Sequence, residues 1–324
     1  MTMRILLLIA LVASPMFAQV AQPLPPRPLP GGPLGLRPVE TPPVAPIEPN
    51  AEAGPTLLPA NLDDGYFVES EVALVFPTLQ NQLPAKALLR VPQVGLDTTY
   101  SAGFEVGYRL FDAQGSFTVG YHFLNADGTG DVNLNAIGYS VRTRAALNVL
   151  DLDYGSTPYE FAPRYTIAYR VGARFAHLFF DSRGTADRDT PPNHIGNVLQ
   201  GFGSGAHGRL DLERRIALVS GLSLFGRVEG AAMVGTMRQR FRQVGQGITS
   251  TLSDDETRTM PVLAGQVGLN YTPPSIPRLK ISAGYTYEEW FKTGSLGLNA
   301  GGTIAGSQGN LRWHGPFLRG QLDF

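Results

Sequence analysis

Residues 207–213 read HGRLDLE, and every second position is ionisable: His207, Arg209, Asp211 and Glu213. Side chains of an extended chain alternate sides with a period of two, so these four share one face while Leu210 and Leu212 take the other. The same spacing recurs in Asp151 and Asp153, Arg170 and Arg174, Arg227 and Glu229, and Glu105 and Arg109. Such a set opens two kinds of chemistry. An imidazole two steps from a carboxylate, as His207 is from Asp211, is the start of an acid–base pair. Arginines interleaved with acids can instead line a hydrated passage or brace a wall by ion pairing, since the planar guanidinium fork suits several carboxylate contacts.

The wider sequence favours the second kind. The five histidines (122, 177, 194, 207 and 314) are scattered, and no partner acids or serine cluster is evident at the extracellular rim. There is no dense His/Asp cluster for a metal, and Asp254-Asp255-Glu256 reads as a solvated run. With no cysteine in the chain, disulfides, thiolate metal sites and a cysteine nucleophile are excluded. A net charge of −1 gives no basis for nucleic-acid binding. No catalytic residue, cofactor or metal is therefore assigned.

Both ends of the chain bear on where it resides. Arg4 precedes the apolar run Ile5–Ala13, which is too short to span a bilayer as a helix, and Ser14-Pro15 follows it. Residues 1–18 are expected to be a secretory signal. Residues 19–60 are expected to be a disordered periplasmic tether, because 13 of the 26 prolines lie between Pro23 and Pro59 and proline removes donors and favours an extended chain. A plain spacer and a contact with the cell wall are both open for it.

Residues 61–324 alternate almost throughout. In 98–111, Tyr100, Ala102, Phe104, Val106, Tyr108 and Leu110 alternate with Ser101, Gly103, Glu105, Gly107 and Arg109. Ten such strands are expected, near 66–76, 98–111, 115–125, 144–155, 165–180, 199–214, 221–235, 260–272, 278–291 and 309–324. Twelve are an alternative if Lys86–Val94 forms part of an extra hairpin. Connections after odd strands read as long and those after even strands as short, which is the plan of a closed antiparallel barrel in the outer membrane. A soluble barrel shows the same alternation with the faces inverted, so the period alone does not decide.

Three features place lipid outside. The chain starts with an export signal, its strands are long enough to cross hydrocarbon, and aromatics sit near strand ends. Tyr285, Tyr287, Trp290, Phe291 and Trp313 are expected in one belt, with Tyr271 and Phe324 in the other. Hydrocarbon demands that every backbone N–H and C=O be paired, so the last strand must close on the first. Leu318, Leu322 and Phe324 form its lipid-facing stripe and read as the signal recognised by the barrel-assembly machinery. Leu311, Trp313 and Phe317 have the opposite parity, which a bulge at Gly315-Pro316 would reconcile.

The segments VLDLDYGS (149–156), YRVGARFAHL (169–178), 203–235, LAGQVGLNY (263–271) and ISAGYTYEEWF (281–291) resemble, in order and spacing, the Legionella-type major outer-membrane protein family of pore-forming barrels. The strongest stretch is GLSLFGRVEGAAMVG, 221–235. The resemblance covers about 65–324 and leaves out the Pro-rich leader, and the lack of cysteine departs from disulfide-linked members. It implies a porin-like barrel and supplies no catalytic motif.

With apolar residues toward lipid, Glu105, Arg109, Asp151, Asp153, Arg170, Arg174, His207, Arg209, Asp211, Glu213, Arg227 and Glu229 line the lumen. Inward glycines at 103, 107, 120, 172, 203 and 205 are expected to free room, and Arg170, Arg174, Arg209 and Arg227 to face Asp211, Glu213 and Glu229 across it. Mixed sign argues against strong ion selectivity. Passive passage of small solutes or ions through a narrow lumen is the leading expectation. A plugged barrel serving as anchor or surface display is the second, and a hydrolase in the barrel wall the third.

Overall fold

The computed structural model describes residues 65–80, 94–111, 114–134, 137–186, 193–245, 248–293, 297–298, 304–305 and 309–324. The expected signal segment, the tether and all but Val94 of the Lys86–Val94 stretch lie outside them. Ten strands form the wall: β1 Gly65–Val75, β2 Thr99–Arg109, β3 Ser116–Leu134, β4 Ile137–Gly155, β5 Tyr165–Ala186, β6 Asn193–Arg215, β7 Leu222–Gly245, β8 Ile248–Tyr271, β9 Leu279–Trp290 and β10 Asn310–Asp323. Each pairs antiparallel with its neighbours in sequence, and β10 pairs with β1 from Phe67↔Asp323 to Ala73↔Phe317. That pairing closes the ring at ten strands rather than twelve. The Phe324 N–H donates to the Tyr66 carbonyl at 2.9 Å, so the seam is bonded to its final residue.

The connections at the rim holding Phe324 are short, as expected. Two of them turn on glycines with positive φ, Gly115 at 109° and Gly221 at 79°, where a Cβ would run into the carbonyl oxygens of Gly155 and Thr272. Tyr159–Ala162, in the β4–β5 connection, adds a short ladder to β5.

At the other rim the expected long loops after strands three, five and seven are largely strand. β3 and β4 run 19 residues each and β5 to β8 run 22 to 24, so β7 and β8 meet across residues 246 and 247 alone. A membrane crossing needs only ~9–11 residues. The extensions were hidden because their outer face is polar: apolar alternation fades beyond the hydrocarbon, while the ladder continues.

The outer surface is the apolar one. Phe104, Val119, Leu152, Val171, Leu212, Val228, Val267 and Leu318 are all exposed on it. Near the lower rim Tyr66, Phe117, Tyr154, Tyr271 and Phe324 face outward, with Tyr66 and Tyr108 rings 4.9 Å apart. Tyr285 faces outward higher up, but Trp290 and Trp313 do not join that belt: they are 1% and 2% exposed, inside the barrel. Nor is there a bulge in β10, whose register to β9 runs unbroken from Leu279↔Leu322 to Trp290↔Leu311. Leu311, Trp313 and Phe317 keep inward parity because the interior itself is apolar at those heights.

Candidate functional site

The inward face is stratified. In its lower half most strands contribute ionisable side chains, and β8 contributes the neutral Gln266 and Asn270. Arg174 of β5 donates to both oxygens of Asp151 on β4, at 2.7 and 2.8 Å, and its Nη2 reaches His207 Nε2 at 3.1 Å and Glu229 Oε2 at 3.4 Å. His207 Nδ1 lies 2.9 Å from Asp153 Oδ1. The imidazole is thus oriented by Asp153 on β4 and not by Asp211, two steps along its own strand. Asp211 instead accepts from Arg209 Nε and Arg227 Nε, each at 2.7 Å.

Other bonds cross the lumen. Arg170 on β5 donates to Glu105 on β2 at 2.5 Å, and Gln266 on β8 donates to Glu71 on β1 at 3.2 Å. Arg319 on β10 donates to Glu69 at 3.3 Å, with its guanidinium 5.2 Å from the ring centres of both Phe225 and Phe317. Glu213 accepts from Lys280 at 2.9 Å and from Ser223, while Arg109 donates to Asp323 at 2.8 Å near the rim. The twelve expected lumen residues all point inward. Ten of them join one web, made of two bonded groups of five, around Arg174 and around Asp211 and Glu105, that meet through the opposite charges of Glu229 and Arg209, with Glu213 and Arg109 in satellite pairs below it.

Cations and anions are interleaved, so the expected field from arginines on one wall to acids on the other is absent. Each charge is neutralised by a neighbour a few ångströms away, which is how a low-dielectric interior tolerates it. Glu69, Glu71 and Arg319 were missed as members of the web. Their parity within ESEVALV and FLRGQLDF carried the signal, and only the β1–β10 seam brings them together.

Above this web the inward side chains are apolar. Val75, Leu124, Leu147, Val149, Leu178, Phe180, Leu199, Met233, Met260, Val262, Trp290, Leu311 and Trp313 form one buried cluster that fills the ring, with Leu79 and Leu96 of the β1–β2 connection packed against it. Much of the room expected from glycines is filled by neighbouring side chains: the Phe67 ring lies over Gly107 and Met260 over Gly203. Gly103 and Gly120 do border open space, a cavity of about 120 Å³ among Glu69, Glu71, Glu105, His122, Glu229 and Gln266. That suffices for a few waters and not for a hydrated solute. Among the described residues no group of three or more His, Asp or Glu is arranged to hold a metal.

A closed ring of ten strands, apolar outside and ion-paired inside, defines an outer-membrane β-barrel. The chain belongs to the family described as Legionella pneumophila major outer membrane protein precursor, which it matches over residues 92–324. No curated protein sequence matches it. Among solved structures it is similar to the outer membrane protease OmpT from Escherichia coli, at 10% identity and TM-score 0.52, covering 82% of this chain and 98% of that one. It also aligns with the P. putida toluene transporter TodX, at 9% identity and TM-score 0.29 over 80% and 90% of the two chains. Neisserial surface protein A aligns at 12% identity and TM-score 0.27, over 80% and 97%. The first shares the fold alone, and the other two are too distant to carry argument.

Proposed function

We propose that this barrel is a sealed outer-membrane anchor that holds an extended β-platform above the membrane, with no catalytic step of its own. The observation that supports this reading is the inward apolar cluster around Met233, Trp290 and Trp313 lying on top of the ion-paired web. A conducting lumen needs water along its whole length, and a packed hydrocarbon layer excludes it. The strand extensions of β3 to β8 give the anchor a rigid part to display.

A second reading, a narrow passage that opens by displacing the apolar layer, is favoured by the polar cavity beneath that layer. It retains the porin-like role that the family resemblance implies. Planar-bilayer recording of the purified full chain separates the two. The sealed anchor gives no stepwise current in the native chain and acquires steps when Trp290→Gly and Trp313→Gly are combined. Reproducible steps from the native chain would overturn it in favour of the passage.

A further inference from the structure

The outer face of the strand extensions carries a basic patch. Four residues beyond Val234, the last apolar position of the β7 stripe, Arg238, Arg240 and Arg242 follow one another on the exposed side. The register sets others beside them. Arg142 of β4 lies opposite Arg183 of β5, Arg183 opposite Gly196 of β6, and Gly196 opposite Arg242 of β7. One row below, Arg144, Asp181, Val198 and Arg240 are opposed in the same way. Asp127, Asp131, Asp181 and Asp255 are interspersed. Asp127 accepts from Arg144 at 2.9 Å, Asp181 pairs with Arg183 at 2.9 Å and Asp255 with Arg238 at 3.0 Å. Arg240 and Arg242 make no ion pair among the described residues.

Gly196 leaves a niche in the upper row. A Cβ there would meet nothing closer than 4.0 Å, so packing does not require the glycine. With strands ~4.8 Å apart, Arg183 and Arg242 flank it across roughly 10 Å. Height identifies the occupant. At ~3.3 Å per residue and a tilt of about 45°, Arg238 stands roughly 9 Å, and Arg242 roughly 19 Å, above the level of Val234. A phospholipid headgroup layer is only some 5–8 Å thick. A glycolipid bearing phosphorylated sugars reaches the whole span, and arginine forks match phosphate oxygens two at a time.

We propose that this face of β4 to β7 binds the phosphorylated sugar headgroup of an outer-leaflet glycolipid, one phosphate seating over Gly196 between Arg183 and Arg242. The full-length protein in zwitterionic detergent is titrated with a rough lipopolysaccharide that retains its inner-core phosphates, and separately with the same material after dephosphorylation, with native mass spectrometry reading the bound fraction. The phosphorylated form should bind at least roughly tenfold tighter, and Arg142→Gln, Arg183→Gln and Arg242→Gln combined should abolish that difference. Gly196→Leu, which the backbone accommodates, should abolish it too while thermal melting stays unchanged. Equal binding of both forms, or full retention in Gly196→Leu, overturns the proposal. Displacement by millimolar inorganic phosphate alone would also overturn it, by assigning the site to free phosphate.

Discussion

Arg174 on β5 clasps Asp151 on β4 through two parallel N–H···O bonds of 2.7 and 2.8 Å, with the cation only 1% exposed. The same guanidinium touches His207 and Glu229, so one side chain ties four strands. Arg174→Ala should therefore destabilise the barrel by about 3–5 kcal/mol, because it leaves largely buried carboxylates without their partner. The check is the temperature at which the folded form is lost in gel-shift melting. Replacing the pair together, Arg174→Met with Asp151→Leu, should lose much less, and a double variant as unstable as the single would refute the ion-pair account.

The chain has two tryptophans, Trp290 and Trp313, and both lie inside the wall. Emission from the folded protein in vesicles should be weakly quenched by brominated acyl chains. A lipid-facing reporter, Val228→Trp in a Trp290→Phe, Trp313→Phe background, should be quenched strongly. Strong quenching of the native pair would put the inward assignment of β9 and β10 in error.

Val228 and Thr236 share the outward face of β7, eight residues apart, the first within the apolar stripe and the second just past its end. Val228→Arg should cost about 2–4 kcal/mol and Thr236→Arg about 0–1, following depth in the bilayer. Refolding into thin and thick vesicles measures both, and equal penalties would mean that the hydrocarbon edge lies elsewhere.

Phe324 is 64% exposed and contributes a single backbone bond to the seam, so it adds little to the packed fold. A role in recognition during assembly predicts that Phe324→Ser lowers the amount inserted in cells several-fold. Refolding of the same variant from urea into detergent micelles should remain near normal. Equal loss in both assays would make Phe324 a structural residue instead.

The sequence by itself determined the alternation, and with it ten strands, the lipid-facing stripe and the inward parity of all twelve expected lumen residues. Side-chain direction along a strand depends only on chain neighbours, so the pattern from Tyr100 to Arg109 was legible without any partner. Tertiary structure alone decided what those residues meet. His207 belongs to Asp153 rather than Asp211, and Arg319 belongs to Glu69, 250 positions away, because closure of the ring sets neighbours that no local spacing encodes. It also decided where Trp290, Leu311 and Trp313 go. An apolar side chain is equally at home in acyl chains and in a packed core, so only the filled ring above the ion-paired web fixes them as inward.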